Sequence, residues 1–332
     1  MAEILTGKAP GGERQKLSKI LPLDTPLVVQ IFPIYLCNCK CSYCIFQYPK
    51  EERHFISDKI KMNINLYKKC VDDALKFKSK IKTWRIVGVG EPLLWKHLSE
   101  AILYTKEKNI AERIEVISNG VLLNKEIADE LIDSGLDRLV ISLQGLSSKK
   151  YKEISKVDID FNEFVYNIKY FYKNKKNTHL YLKVVDTALE ENEEKKFYEL
   201  FGDKCDSMAI EQTVPIHVRN AGLKEKDKTQ FGLPVKEVKI CPQPFHFMEI
   251  RPDGNITGCY NFKIPAILGN VEDISLVDIW NGDIFNSFRR SMLEYSKNIF
   301  PVCKSCTMYK YRAFDEDNLD KDTERLKEFY DE

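Results

Sequence analysis

The sequence predicts an α/β fold: six strand–helix units curled into an open, partial barrel, followed by a small α+β unit built on a β-hairpin. Three observations carry this. Short β-rich apolar runs alternate with amphipathic segments over the first two-thirds of the chain, as βα units around a parallel sheet require. A cluster of cysteines, three of them spaced by three and then two residues, follows the first of those runs, and four more occur after the last.

The elements follow in order. Pro26 to Phe32 reads as the first strand, and Trp84 to Val89, Arg113 to Ser118, Arg138 to Leu143, His179 to Val185 and Met208 to Thr213 as the others. Helical periodicity fills the gaps at Asn65 to Phe77, Leu98 to Lys108, Lys125 to Asp133, Phe161 to Tyr172 and Glu191 to Phe201. Six such units are too few to close an eight-stranded barrel, so a partial (β/α)6 TIM barrel is expected, with its ligands at the C-terminal strand ends. Beyond it, Phe245 to Ile250 and Asn255 to Tyr260 read as a hairpin turning through Arg251-Pro252-Asp253-Gly254. Helices are expected at Leu276 to Trp280 and Ile284 to Tyr295, and Asp315 to Glu332 reads as a solvated helix. The domains are then an N-terminal tail (1–25), the barrel (26–222) and the auxiliary unit (223–332), divided by the polar stretch from Gly222 to Lys239.

Composition excludes several function classes. The formal charge of the 332 residues is +1, and the lysines are dispersed, so nothing calls for nucleic acid or an anionic membrane. The longest nearly apolar run, Pro26 to Leu36, is too short to span a bilayer. The chain starts Met-Ala-Glu without an apolar signal segment, so its ten cysteines are expected in a reducing, cytoplasmic compartment rather than in disulfides.

Cys37, Cys41 and Cys44 are spaced by three and then two residues, with Tyr43 just before the last. Three cysteines in one short loop can cap three irons of a 4Fe-4S cluster and leave the fourth iron open. Zinc with Cys39 as a fourth ligand is the competing reading. The second strand runs into Gly88-Val89-Gly90-Glu91-Pro92, where Gly90 allows close backbone approach, Glu91 offers a carboxylate to an ammonium and Pro92 fixes the turn. Strands three and four end in Ser118-Asn119-Gly120 and Ser142-Leu143-Gln144-Gly145. At these residues the chain resembles the radical S-adenosylmethionine (SAM) enzymes. That resemblance implies SAM chelated at the open iron, its amino group at Gly90-Glu91-Pro92, its adenine beside Tyr43, and Asn119, Ser142, Lys183 and Val214 contacting the rest.

Cys241, Cys259, Cys303 and Cys306 form a second set, closed by the two-residue spacing of a metal knuckle. Four thiolates complete a coordination shell, for zinc or for a second 4Fe-4S cluster. With Gly254 five residues before Cys259, and with Asp278-Ile-Trp280, Phe285 and Phe288-Arg289 behind it, the layout resembles the twitch domain, the shortened SPASM extension of radical SAM enzymes. The resemblance implies an auxiliary 4Fe-4S cluster.

Among such enzymes the chain is similar to the aminocyclitol (2-deoxy-scyllo-inosamine) dehydrogenases. That family places an arginine in a loop after the last strand; here the loop reads Val218-Arg219-Asn220-Ala221-Gly222. The resemblance implies a 5′-deoxyadenosyl radical that abstracts a substrate hydrogen, with the auxiliary cluster accepting an electron in a two-electron oxidation of a small polar substrate. Arg219 and His217 are the candidate catalytic groups, and Cys205 a candidate hydrogen donor if the reaction is an epimerisation. A peptide-modifying maturase is the alternative, and an external donor such as flavodoxin or ferredoxin would supply electrons. Cys70 reads as a small buried hydrophobe.

Overall fold

The computed structural model describes residues 1–53, 57–215, 226–261, 263–294 and 300–330. Its strands are β1 (Glu3–Ile4), β2 (Val28–Ile31), β3 (Ile81–Ile86), β4 (Ala111–Ser118), β5 (Arg138–Leu143), β6 (His179–Val185), β7 (Ser207–Glu211), β8 (Phe247–Ile250), β9 (Asn255–Thr257) and β10 (Gly269–Asn270). β2 to β7 lie side by side in chain order, each parallel to the next. The order is that of a partial (β/α)6 barrel. Its outer layer is α1 (Leu17–Ile20), α2 (Ile64–Ala74), α3 (Leu98–Lys108), α4 (Lys125–Asp133), α5 (Ser148–Ser155), α6 (Phe161–Asn174) and α7 (Glu193–Phe201). Local chemistry starts several of these helices: the side chains of Asn63, Asn124, Ser147 and Asp160 accept from backbone amides of the first turns of α2, α4, α5 and α6.

Three features depart from the sequence expectation. The first 25 residues are not a free tail: β1 adds a parallel strand to the outer edge at β7, and Leu17 is buried in the core. The sheet also runs across the boundary expected at residue 222/223, because β8 pairs parallel with β2, Ile31 opposite Ile250, and β9 and β10 continue it antiparallel. The C-terminal stretch is not one solvated helix. After α8 (Leu276–Asn281), α9 (Asp283–Leu293), α10 (Pro301–Lys304) and α11 (Met308–Arg312), its described residues 315–330 hold a 3-10 turn at Asp315–Asp317 and α12 (Thr323–Lys327), and they bury Leu319, Leu326 and Tyr330. Trp280 on α8 anchors this layer by donating to the Leu23 carbonyl at 2.7 Å.

α5 lacks a strong apolar signal in the sequence, yet it positions the cysteine loop. Its last carbonyls, of Ile154 and Ser155, accept from the amides of Ser42 (2.9 Å) and Lys40 (2.8 Å). From the other side comes the turn after β3. Gly88 and Gly90 have φ of +146° and +157°, and a Cβ on Gly90 would overlap the Ile34 carbonyl oxygen. This close approach lets the Glu91 amide donate to the Leu36 carbonyl at 2.7 Å, one residue before Cys37. Glycine is required here by protein backbone, whereas the sequence expects approach of a ligand.

Inside the barrel a buried carboxylate ties three strands. Glu115 on β4 meets Arg85 of β3 at 2.5 Å and Arg138 of β5 at 3.1 Å. Burial pushes its carboxyl up, but the guanidiniums of Arg85, Arg138 and Arg113 outweigh this and hold its pKa at about 2.

Two outcomes follow. Glu115→Gln leaves two guanidiniums without their carboxylate and should cost about 3 kcal/mol or more in urea unfolding. Because the folded pKa lies below the unfolded value near 4.5, the wild-type contribution is complete above that pH and lost between about 4.5 and 2, a slope the variant should lack. Gly90→Ala should spread the cysteine loop from the turn, so that the variant keeps its far-ultraviolet circular dichroism but loses most of the iron it binds on anaerobic reconstitution.

Candidate active site

The cysteine loop leaves β2 at the C-terminal end of the sheet. Cys37 and Cys44 pack on the buried side chains of Phe32, Tyr35, Ile45, Phe46 and Val89. Two N–H groups point at the Cys37 sulfur, the Cys39 amide at 3.4 Å and Asn119 Nδ2 at 3.8 Å. Cys39 lies outside the three-cysteine spacing, yet its buried thiol hydrogen-bonds those of Cys37 and Cys41. That sharing lowers the Cys37 pKa and raises that of Cys39, while burial pushes Cys44 up to about 12. Thiols this desolvated shed their protons on binding metal. Among the described residues no group of His, Cys, Asp and Glu closes to the arrangement of a single metal ion. A thiol-only donor set with N–H groups directed at sulfur fits an iron–sulfur cluster.

Glu91 stands behind this loop. Its carboxylate accepts from Ser118 Oγ (2.7 Å), the Leu93 amide (3.0 Å) and the Asn119 amide (2.8 Å), and it is almost wholly buried. Burial raises its pKa and these three donors oppose the rise. The sequence expects this carboxylate to meet a ligand ammonium; most of its hydrogen-bonding capacity is taken up inside the protein instead. Through it the ends of β3 and β4 are locked together. Asn119, so held, donates to Asn38 Oδ1 at 2.8 Å as well as facing Cys37. Pro92 opens the short helical turn that follows.

A cavity of about 230 Å³ opens at the C-terminal ends of β5 to β7. One wall belongs to the first cysteine loop: Tyr43 donates to Gln144 Oε1, and Gln144 Nε2 donates to the Ser142 carbonyl at 2.9 Å. The floor is charged, with Lys183 of β6 paired to Glu211 of β7 at 3.0 Å. Gln230 Nε2 also donates to Glu211, at 2.7 Å. Val214, Gln230 and Arg312 complete the opposite wall, the last two from beyond the barrel.

That wall is continuous with the second cysteine set. Thr307, next to Cys306, donates to the Pro215 carbonyl, and the Gln230 amide donates to the Tyr311 carbonyl at 2.9 Å. Around the sulfurs, the Asn261 amide reaches Cys259 at 3.4 Å and Asn261 Nδ2 reaches Cys306 at 3.5 Å. Burial raises the pKa of Cys241, Cys259, Cys303 and Cys306, and each of the first three is raised further by at least one other thiol of the set. This set too offers thiols with N–H groups aimed at sulfur.

Other expected residues fall elsewhere. Cys205 sits just before β7, at the strand end remote from the cavity, where its thiol faces the Phe201 carbonyl at 3.3 Å. It is therefore not brought to the site. Cys70 is fully buried on α2. Arg219 and His217 lie outside the described residues. Sequence reasoning missed Glu211, Gln230 and Arg312; only Glu211 carried a signal, as a charged residue at the end of an apolar strand.

A relative from Methanococcus maripaludis, named probable GTP 3′,8-cyclase, is 40% identical over 119 residues, which is 36% of this chain and 37% of that protein's length. The tungsten-containing aldehyde ferredoxin oxidoreductase cofactor-modifying protein of Pyrococcus furiosus is 25% identical over 319 residues, covering 82% of this chain and 85% of its own. Among solved structures, SuiB of Streptococcus suis bound to SAM aligns with a TM-score of 0.63 at 19% identity (89% of this chain, 74% of that one). BtrN in complex with SAM and 2-DOIA aligns at 0.53 and 18% (84% and 92%). These structural likenesses show the fold. The Radical SAM superfamily model matches residues 31–198 and the SPASM iron–sulfur cluster-binding domain model residues 241–307; the chain belongs to the radical SAM superfamily and carries a SPASM domain, a pairing that implies 4Fe-4S clusters.

Proposed function

We propose that the chain is an oxidoreductase that removes two electrons from a small polar substrate of carbohydrate or aminocyclitol type. The observation that carries this reading is the cavity, whose walls come from the first cysteine loop on one side and from the auxiliary domain on the other. SAM held at the first cluster would supply a 5′-deoxyadenosyl radical for hydrogen-atom abstraction and the auxiliary cluster would supply the acceptor for the remaining electron, while the remaining proton would go to a base of the chain.

The chain's own residues divide the work. Tyr43, Pro92, Asn119, Ser142, Lys183 and Val214 seat SAM, and Gly90 and Glu91 act through the loops they hold together. Glu211, Gln230 and Arg312 hold the substrate: a carboxylate, an amide and a guanidinium suit hydroxyl and amino groups, whose alternate donors and acceptors they match. Arg219 and His217 are the proposed catalytic groups. An imidazole is a natural base near neutral pH, whereas a guanidinium stays protonated and orients. The reducing electron comes from an external carrier such as flavodoxin or ferredoxin.

A peptide substrate is the second reading. What favours it is the likeness to SuiB bound to its precursor peptide SuiA, at a TM-score of 0.63 and 19% identity.

An anaerobic assay with polyols and aminocyclitols deuterated at the carbinol carbon separates the two. Deuterium should appear in 5′-deoxyadenosine, together with a product about three mass units lighter than the deuterated substrate; deuterium transfer from a labelled peptide alone contradicts the small-molecule reading. Glu211→Gln removes the anionic acceptor of the cavity floor. It should lower product formation about tenfold or more while SAM cleavage continues, so that the ratio of 5′-deoxyadenosine to product rises.

A further inference from the structure

A second buried ion pair lies between the two cysteine sites. β2 and β8 set Gln30 beside Glu249, and Gln30 Nε2 donates to the Glu249 carboxylate at 3.0 Å. The other Glu249 oxygen meets Arg251 Nη2 at 2.7 Å. The guanidinium then points two ways. Nη1 donates to Tyr35 Oη at 3.3 Å and the plane lies 4.9 Å from the Phe32 ring, two side chains that pack on Cys37 and Cys44. Nη2 donates to the Asn261 carbonyl at 3.4 Å, and the amide and side chain of that asparagine bond the Cys259 and Cys306 sulfurs.

Both members of the pair are 1% exposed or less. Stability does not explain such a pair, since a buried ion pair commonly gains little over apolar residues of like volume. Charge does. In a low-dielectric interior a cation near a redox centre stabilises the added electron far more than it would in water. The cation has a hydrogen-bonded link to Asn261, whereas Glu249 bonds Gln30 and Arg251 and reaches Cys259 through its field alone, so through its bonds the pair presents its positive end to the auxiliary sulfurs.

We propose that Arg251, oriented by Glu249, is the residue that raises the reduction potential of the auxiliary cluster, so that it accepts one electron on the substrate side. The inference rests on the reading of that cluster as the electron acceptor. Arg251 touches neither substrate nor sulfur; it acts through Asn261 and through its field.

The test is a redox titration followed by electron paramagnetic resonance on the reconstituted full chain at pH 8.5, above the Glu249 pKa that burial has raised to about 7. Wild type is compared with Glu249→Gln and with the double variant Glu249→Gln/Arg251→Met, after iron and sulfide analysis has established that both clusters are loaded. Glu249→Gln leaves the cation unopposed and should move the auxiliary couple to higher potential by about tenfold in the one-electron equilibrium, about 59 mV. The double variant lacks the cation and should fall below wild type. In both, the auxiliary couple should move more than the SAM-binding couple. Coincident auxiliary potentials, the inverted order, or equal movement of both couples overturns the proposal. If only one variant loads both clusters, its displacement from wild type decides by the same signs. Product analysis tests the electron-acceptor reading independently, so its failure is distinguishable from a failure of this titration.

Discussion

The site depends on one buried carboxylate. Glu91 has been taken out of water at a cost that only good hydrogen bonds offset, and its three donors come from its own turn and from the end of β4. Its amide holds the chain just ahead of the first cysteine. Three loops that would otherwise move independently are thus fixed to one another at the C-terminal mouth of the sheet. The Cys37 sulfur, the Asn119 amide group and the cavity wall inherit their positions from that junction.

The auxiliary domain is held to the barrel by backbone rather than by a soft interface. β8 continues the barrel sheet beside β2, so the first cysteine loop and the hairpin carrying Cys259 grow from neighbouring strands. On the other side of the barrel, the bonds from Thr307 to Pro215 and from Gln230 to Tyr311 close the cavity. Charge follows the same plan. The Glu115 cluster braces the barrel interior, Lys183 and Glu211 line the cavity, and Arg251 with Glu249 occupies the space between the sulfur sites.

Much of this was legible in the chain. The cysteine spacings, the Gly90-Glu91-Pro92 turn and the strand over Arg138 to Leu143 are local patterns, and local patterns survive folding. The bounds of β3 shifted because pairing of Ile81 with Ala111 decides where that strand starts. What sequence could not carry is contact between distant segments. Gly90 looks like a place for a ligand, and only the fold shows the Ile34 carbonyl lying there. α5 carries few apolar residues, and its purpose appears once its carbonyls meet the cysteine loop. Gln230 and Arg312 sit in polar stretches with no motif, and they become cavity residues through the return of the chain after Cys306.

The central claim is that two clusters of different ligation serve one cavity. Iron and sulfide analysis with Mössbauer spectroscopy, on wild type and on a Cys37→Ala, Cys41→Ala, Cys44→Ala variant after anaerobic reconstitution, tests it most directly. The account predicts two 4Fe-4S clusters per chain in wild type, one in the variant, and release of 5′-deoxyadenosine from SAM by wild type alone. A wild-type chain holding one cluster and a zinc ion would contradict it.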